Sequence, residues 1–162
     1  MKLSVKFIFI AIVLISDSCD FKRNILPNEN SELSFKASLL NHSDTVLFTG
    51  SDIQLLNGTT GKISFINPSL IPKIKSFNRI KCYLGNDSLF TASVTLPAVS
   101  APINDLVLNF NLNDGSFYFE DGYPDWIDNS RVIGIRIQNK NKRTASWNRF
   151  IDELKKEGKL VE

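Results

Sequence analysis

One histidine, two cysteines and no apolar run long enough to cross a bilayer set the first limits on this 162-residue chain. A lone His with so few thiols cannot supply the three or four N/S ligands of a zinc site, so no metal is expected. That histidine, His42, lies in Leu40-Asn41-His42-Ser43-Asp44, which reads as an exposed turn between strands. No G-x-S-x-G elbow is present to build a nucleophile beside it, so no catalytic residue is assigned. A Gly-rich phosphate loop before a helix is also missing, and no cofactor is expected. Charge of one sign is lacking too: 19 Lys and Arg balance 17 Asp and Glu. Nucleic acid wants a basic face, and this balance offers none.

What is there begins at the amino terminus. Met1-Lys2 and Lys6 precede the apolar run Phe7–Ile15, and Ser16-Asp17-Ser18-Cys19 follows. A charged start, a short apolar stretch and small residues have the layout of a bacterial export signal. The run is far below the roughly 20 residues a spanning helix needs. Residues 1–18 therefore read as a removable signal peptide, which places the mature chain outside the cytoplasm.

A cysteine at the end of such a signal resembles the lipobox of bacterial lipoproteins. In these boxes the thiol takes a diacylglycerol, and the amino group freed by cleavage is then acylated. Here Ser16 stands where Leu is usual, Ile15 supplies the branched residue one place early, and Asp17 is a charged departure. The resemblance implies lipidation at Cys19. Several acyl chains, at about 0.8 kcal/mol per buried CH₂, hold far better than one. Two other readings stay open: Ser16-x-Ser18 also suits an ordinary signal peptidase, and Cys19 could pair with Cys82 in a disulfide.

Removing residues 1–18 takes away Lys2, Lys6 and Asp17, leaving 17 basic and 16 acidic residues. Residues 19–31, the modified cysteine followed by Asp20–Ser31, are polar, aperiodic and carry a proline, as a flexible tether would be. Residues 32–162 suit one domain, large enough to bury about two-thirds of the surface its unfolded chain exposes. Cys82 alternates with Ile80 and Leu84, so it is expected in the core rather than as a reactive thiol.

From Glu32 onward the dominant period is two. Leu33, Phe35, Ala37 and Leu39 alternate with polar residues, and a second run spans Thr45–Thr49. Ile53 and Leu55 face Ile63 and Phe65 across Asn57–Gly61, while Phe77–Leu84 and Leu89–Leu96 flank Gly85–Ser88. Pro68 and Pro72 break the pattern, and Ala98–Pro102 reads as a loop. In the strongest hairpin a two-residue Asp114-Gly115 turn sets Leu112 opposite Phe117, Phe110 opposite Phe119 and Asn109 opposite Glu120. Arg131–Gln138 reads as a further strand burying Ile133, Ile135 and Ile137. The chain then closes with a helix over about 145–157, capped by Thr144 or Ser146. Its stripe is Trp147, Phe150, Ile151 and Leu154, and Gly158 ends it. The expected fold is α+β, mainly β: an antiparallel sandwich or roll with one C-terminal amphipathic helix.

One segment is dense in chemistry: Glu120-Asp121-Gly122-Tyr123-Pro124-Asp125-Trp126-Ile127-Asp128-Asn129. Four carboxylates and two aromatics share a Gly/Pro loop. Such oxygens can hold calcium, though not at EF-hand spacing. Rings beside carboxylates also suit a sugar, which makes Glu120, Asp121, Tyr123, Asp125 and Trp126 the candidate ligand contacts. A plain turn, with Tyr123 and Trp126 packed back on the sheet, accounts for the same residues.

The whole is similar to the small lipoproteins of Gram-negative envelopes that carry no assigned activity. The resemblance rests on the signal, the tether and the β-rich plan with its terminal W-x-x-F-[IL]-x-x-L-K-K-x-G-K-L helix. It implies a domain anchored by lipid at the envelope, at the outer membrane. Two functions are expected from different classes. One is a non-catalytic binding or scaffolding module for an envelope protein or glycan. The other is an envelope polysaccharide hydrolase using Glu120 and Asp125, for which no tuned acid/base set is evident.

Overall fold

The computed structural model describes residues 32–39, 42–97 and 101–162. The signal peptide, Cys19, the tether and the Leu40-Asn41 turn lie outside the described residues, as do the first three positions of the Ala98–Pro102 loop. The order is β1 (Leu33–Leu39), β2 (His42–Thr49), a 3-10 turn (Gly50–Asp52), β3 (Ile53–Asn57), β4 (Lys62–Phe65), α1 (Leu70–Lys75), β5 (Arg79–Leu84) and β6 (Asp87–Thr95). It continues with β7 (Val107–Asn111), β8 (Ser116–Glu120), α2 (Ser130–Lys156) and β9 (Leu160–Val161). The fold is mainly β with a long helix near its C terminus. His42 opens β2 instead of sitting in a turn.

The expected antiparallel sandwich or roll is instead one mixed sheet, ordered β2-β1-β5-β6-β7-β8-β4-β3-β9. Two of its pairs, β6 with β7 and β3 with β9, are parallel. A parallel pair requires a crossover, and residues 96–106 provide one between β6 and β7. The sheet has to curl. β2 and β3 stand first and eighth in the order, which in a flat sheet would separate them by about 34 Å. Yet only Gly50–Asp52 joins them, and three residues reach about 10 Å. The rings agree: Phe48 of β2 lies 5.1 Å from Phe65 of β4, centroid to centroid.

The curl wraps the C-terminal half of α2. Phe150 is fully buried and meets Phe35 of β1, Phe90 of β6 and Phe119 of β8 at 6.0, 5.3 and 5.9 Å. Leu154 is fully buried as well, while Trp147 and Ile151 pack at the margin. This is the stripe read from the sequence. The stop matches too: Gly158 takes φ 68°, the Gly158 N–H donates to Lys155 O, and the Lys159 N–H donates to Leu154 O, a Schellman closure.

The helix start differs. Asn129, not Thr144 or Ser146, is the cap, its Oδ1 accepting from the N–H groups of Arg131 and Val132. The expected strand Arg131–Gln138 is the first part of α2, and Ile133, Ile135 and Ile137 are exposed rather than buried. Alternating isoleucines suggested period two, but the residues holding this segment are polar. Arg136 donates to Pro124 O, Asn139 donates to Asn104 O, and Lys140 and Arg143 pair with Asp121. Spaced i, i+3, i+4 and i+7, they form one helical strip fastened to loops beneath.

The β7–β8 hairpin keeps its faces but changes register. In β7–β8 the pairs are Asn111 with Ser116, Phe110 with Phe117 and Leu108 with Phe119, two places from the expected register. The loop is Leu112–Gly115 rather than Asp114-Gly115. The Gly115 N–H donates to Asn111 O at φ 66°, Asn111 Oδ1 accepts from Asn113 N–H, and Asp114 Oδ1 accepts from Ser116 N–H. These local bonds favour four residues over two and leave Leu112 67% exposed. Lys62 and the Tyr118 hydroxyl, both donating to Asp114, lower that carboxyl to about 2. In β3 a register shift between Ile53 and Leu55 turns Leu56, not Leu55, inward opposite Ile63. The β5–β6 turn shortens to Gly85-Asn86, with Gly85 at φ 59° as a type II′ turn requires. Cys82 is free and fully buried, and desolvation pushes its thiol far above the usual range.

Candidate functional site

The acidic-aromatic loop follows β8, and the alternation of that strand divides its carboxylates. Glu120 extends over the face shared by Val107, Asn109 and Tyr118. Its two oxygens accept from Asn109 Nδ2 at 3.1 and 3.3 Å, and Asn109 Oδ1 accepts from the hydroxyl of buried Thr95 at 3.0 Å. Burial raises the Glu120 pKa, the Asn109 amide opposes this, and the charge of Asp125 adds to it. Asp121 turns to the helix, where Arg143 and Lys140 pair with its two oxygens. Arg143, only 9% exposed along its side chain, also holds Asp105. Neighbours in sequence, Glu120 and Asp121 thus serve different networks.

The rest of the loop separates further. Gly122 sits at φ 139° with the Arg136 guanidinium laid against it, so a Cβ there would stand 2.3 Å from Arg136 Nε. Tyr123 is tied through its backbone: its N–H donates to Ile103 O and its carbonyl accepts from Ile103 N–H, both at 2.8 Å. The Tyr123–Pro124 peptide is cis. Asp125 is exposed, and Trp126 stands 78% exposed instead of packing back on the sheet.

Two cavities adjoin this loop. One, about 300 Å³, lies between the β3–β4 turn and α2. Leu106, Phe119 and Trp147 supply its apolar lining, and Thr59, Thr60, Asp121, Lys140, Arg143 and Asn148 its polar one. The turn is stiffened where it meets β8. Gly61 at φ 75° donates to Asn57 O and accepts from Phe119 N–H, and a Cβ on it would come within 2.2 Å of Phe119 O. Thr60 is held by Asn57 Oδ1 through both its N–H and its hydroxyl. The second cavity, about 320 Å³, runs along Asp125, Ile133, Arg136 and Ile137.

Of the residues singled out from the sequence, Glu120 and Asp121 touch both cavities and Asp125 the second, while Tyr123 and Trp126 line neither. Lys140 and Arg143 went unnoticed because their segment lacks apolar periodicity, and Asn148 because it is a polar position inside the apolar stripe. The polar i, i+3, i+4, i+7 spacing from Arg136 was the available signal. Among the described residues no three His, Cys, Asp or Glu side chains gather as a metal cage, and no helix is long and apolar enough to cross a membrane. Comparison with protein families, curated proteins and solved structures finds no match.

Proposed function

We propose that this chain is an envelope lipoprotein, anchored at the outer membrane through Cys19, whose β-rich domain binds a short glycan without transforming it. The supporting observation is the groove between the β3–β4 turn and α2. Its apolar floor of Leu106, Phe119 and Trp147 suits the carbon face of a sugar ring, and hydroxyl, amide and ammonium groups around it suit the ring's hydroxyls. About 300 Å³ accommodates one or two rings. Asp121, held by two cations, is an oriented acceptor more than a free acid.

Within the groove the division of the carboxylates favours binding over hydrolysis; Glu120 and Asp125 share the second cavity instead. A glycosidase needs two carboxyls facing each other across one cleft, roughly 5–10 Å apart. Glu120 is held on the sheet by Asn109, whereas Asp121 is held by the helix. Calorimetric titration with oligosaccharides released from the bacterial envelope tests the reading. Binding should weaken at least about tenfold in Asn148→Ala and Lys140→Ala, the loss of one or two hydrogen bonds. Products appearing during titration, abolished by Glu120→Gln or Asp125→Asn, would establish the hydrolase instead.

A further inference from the structure

The two cavities beside the acidic loop meet. Glu120, Asp121 and Lys140 line both, and the ion pair between Lys140 and Asp121, 2.8 Å long, stands where they join. Both of its partners are substantially exposed, so the pair contributes little and forms a low sill rather than a wall. The resulting trough follows α2. Between Trp147 in the first cavity and Ile133 in the second, the helix rises about 21 Å. Each end has its own apolar ground: Leu106, Phe119 and Trp147 in the first, Ile133 and Ile137 in the second. These two isoleucines stand one turn apart on one flank of α2, whereas Ile135, on the other flank, lines neither cavity. Charge is balanced along the whole length, where Glu120, Asp121 and Asp125 stand against Arg136, Lys140 and Arg143.

We infer that the two cavities form one extended site for an uncharged oligosaccharide of about four rings, about two to each cavity, a reading that rests on the glycan assignment of the first. Lys140 donates and Asp121 accepts at the middle of the trough, where the hydroxyls flanking the central linkage lie. Ring hydroxyls both donate and accept, which suits a lining of both signs. A lining without net charge gives no advantage to an acidic or a basic sugar. The apolar faces of the outer rings then cover Ile133 and Ile137. A peptide in the same place would draw on a free strand edge for its main-chain hydrogen bonds. β8, which supplies Phe119 and Glu120, is already paired on both sides, with β7 and β4.

The test is calorimetry on the full chain purified in a sugar-free detergent. The probes are uncharged two-ring and four-ring fractions, resolved by size from one partial digest of envelope polysaccharide. The four-ring fraction should bind at least about tenfold more tightly than the two-ring one, as one or two further hydrogen bonds imply. Ile133→Gln/Ile137→Gln should erase that gain, leave two-ring affinity unchanged and keep the thermal melt, since both sites are exposed. Asp125→Ala, also at an exposed position, should reduce the gain alone, whereas Asn148→Ala should weaken both fractions alike. Salt raised to about 0.5 M should move four-ring affinity less than about twofold. Two-ring binding with no gain at four rings would overturn the extended site and leave the groove reading standing. A gain that survives both second-cavity variants, or that collapses in salt, would overturn it as well. Binding by neither fraction would remove the groove reading and the extended site together.

Discussion

Replacing Arg143 with Met should loosen one half of α2 and leave the other intact. The buried residues of this helix are Phe150 and Leu154, both in its C-terminal half. The N-terminal half depends on the polar strip, in which Arg143 joins Asp105 and Asp121. Asp105 is 61% exposed, so its pairing contributes a few tenths of a kcal/mol. Asp121 is better shielded and faces a nearly buried guanidinium, which suggests about 1 kcal/mol more. Met keeps much of the arginine stem, so the change reports chiefly on the lost pairs. The sum, about 1–2 kcal/mol, speeds local opening roughly 5–30-fold. Amide hydrogen exchange measures it: amides at 132–142 should lose that protection while those at 150–156 keep theirs. Equal losses in both halves would show the helix opening as one unit. Unchanged exchange at 132–142 would show that the strip holds nothing.

Other substitutions probe the core, the loop and the titration of Glu120. Phe150→Ala removes the ring shared by β1, β6 and β8 and should cost about 3–5 kcal/mol, lowering the urea midpoint at constant slope; a loss below about 1 kcal/mol contradicts the single core. Gly122→Ala should cost about 1–3 kcal/mol through its positive φ and its approach to Arg136, and Arg136→Ala in the same chain should recover part of that; strict additivity would rule out the contact. Burial raises the pKa of Glu120 in the folded state above the ordinary 4.5, so its stabilising contribution is complete below that pH and is lost as pH rises through the folded value. Glu120→Gln should therefore gain stability relative to the parent across that window and remain ahead at neutral pH, and a gap that shrinks with rising pH would reverse the assigned cause.

The legible parts of the fold were those where local chemistry and apolar period agree. β1, with Leu33, Phe35 and Ala37 inward, and the Trp147–Leu154 stripe closed by Gly158 are of this kind. Register was less legible, because a two-place slip in β7–β8 keeps every side chain on its face. The choice between a two-residue loop and one that also takes in Leu112 and Asn113 then falls to hydrogen bonds local to Asn111 and Asp114. The parallel β6–β7 pair depends on a crossover that no short-range pattern announces. The N-terminal half of α2 was hidden because its contacts are made by arginine, asparagine and lysine while its isoleucines face outward. For the site, composition pointed to Glu120–Asn129, and Asp121 does meet the groove. Its other wall comes from Thr59, Thr60 and Asn148, residues joined to it only by the folded sheet and helix.

The role assigned here depends most on the thiol of Cys19. Metabolic labelling with an alkyne fatty acid, followed by membrane fractionation and mass analysis of the N-terminal peptide, tests it directly. The account predicts a labelled, membrane-bound chain beginning at residue 19, and neither label nor membrane retention in Cys19→Ser whole cells. An unlabelled 162-residue chain recovered from the cytosol would contradict it.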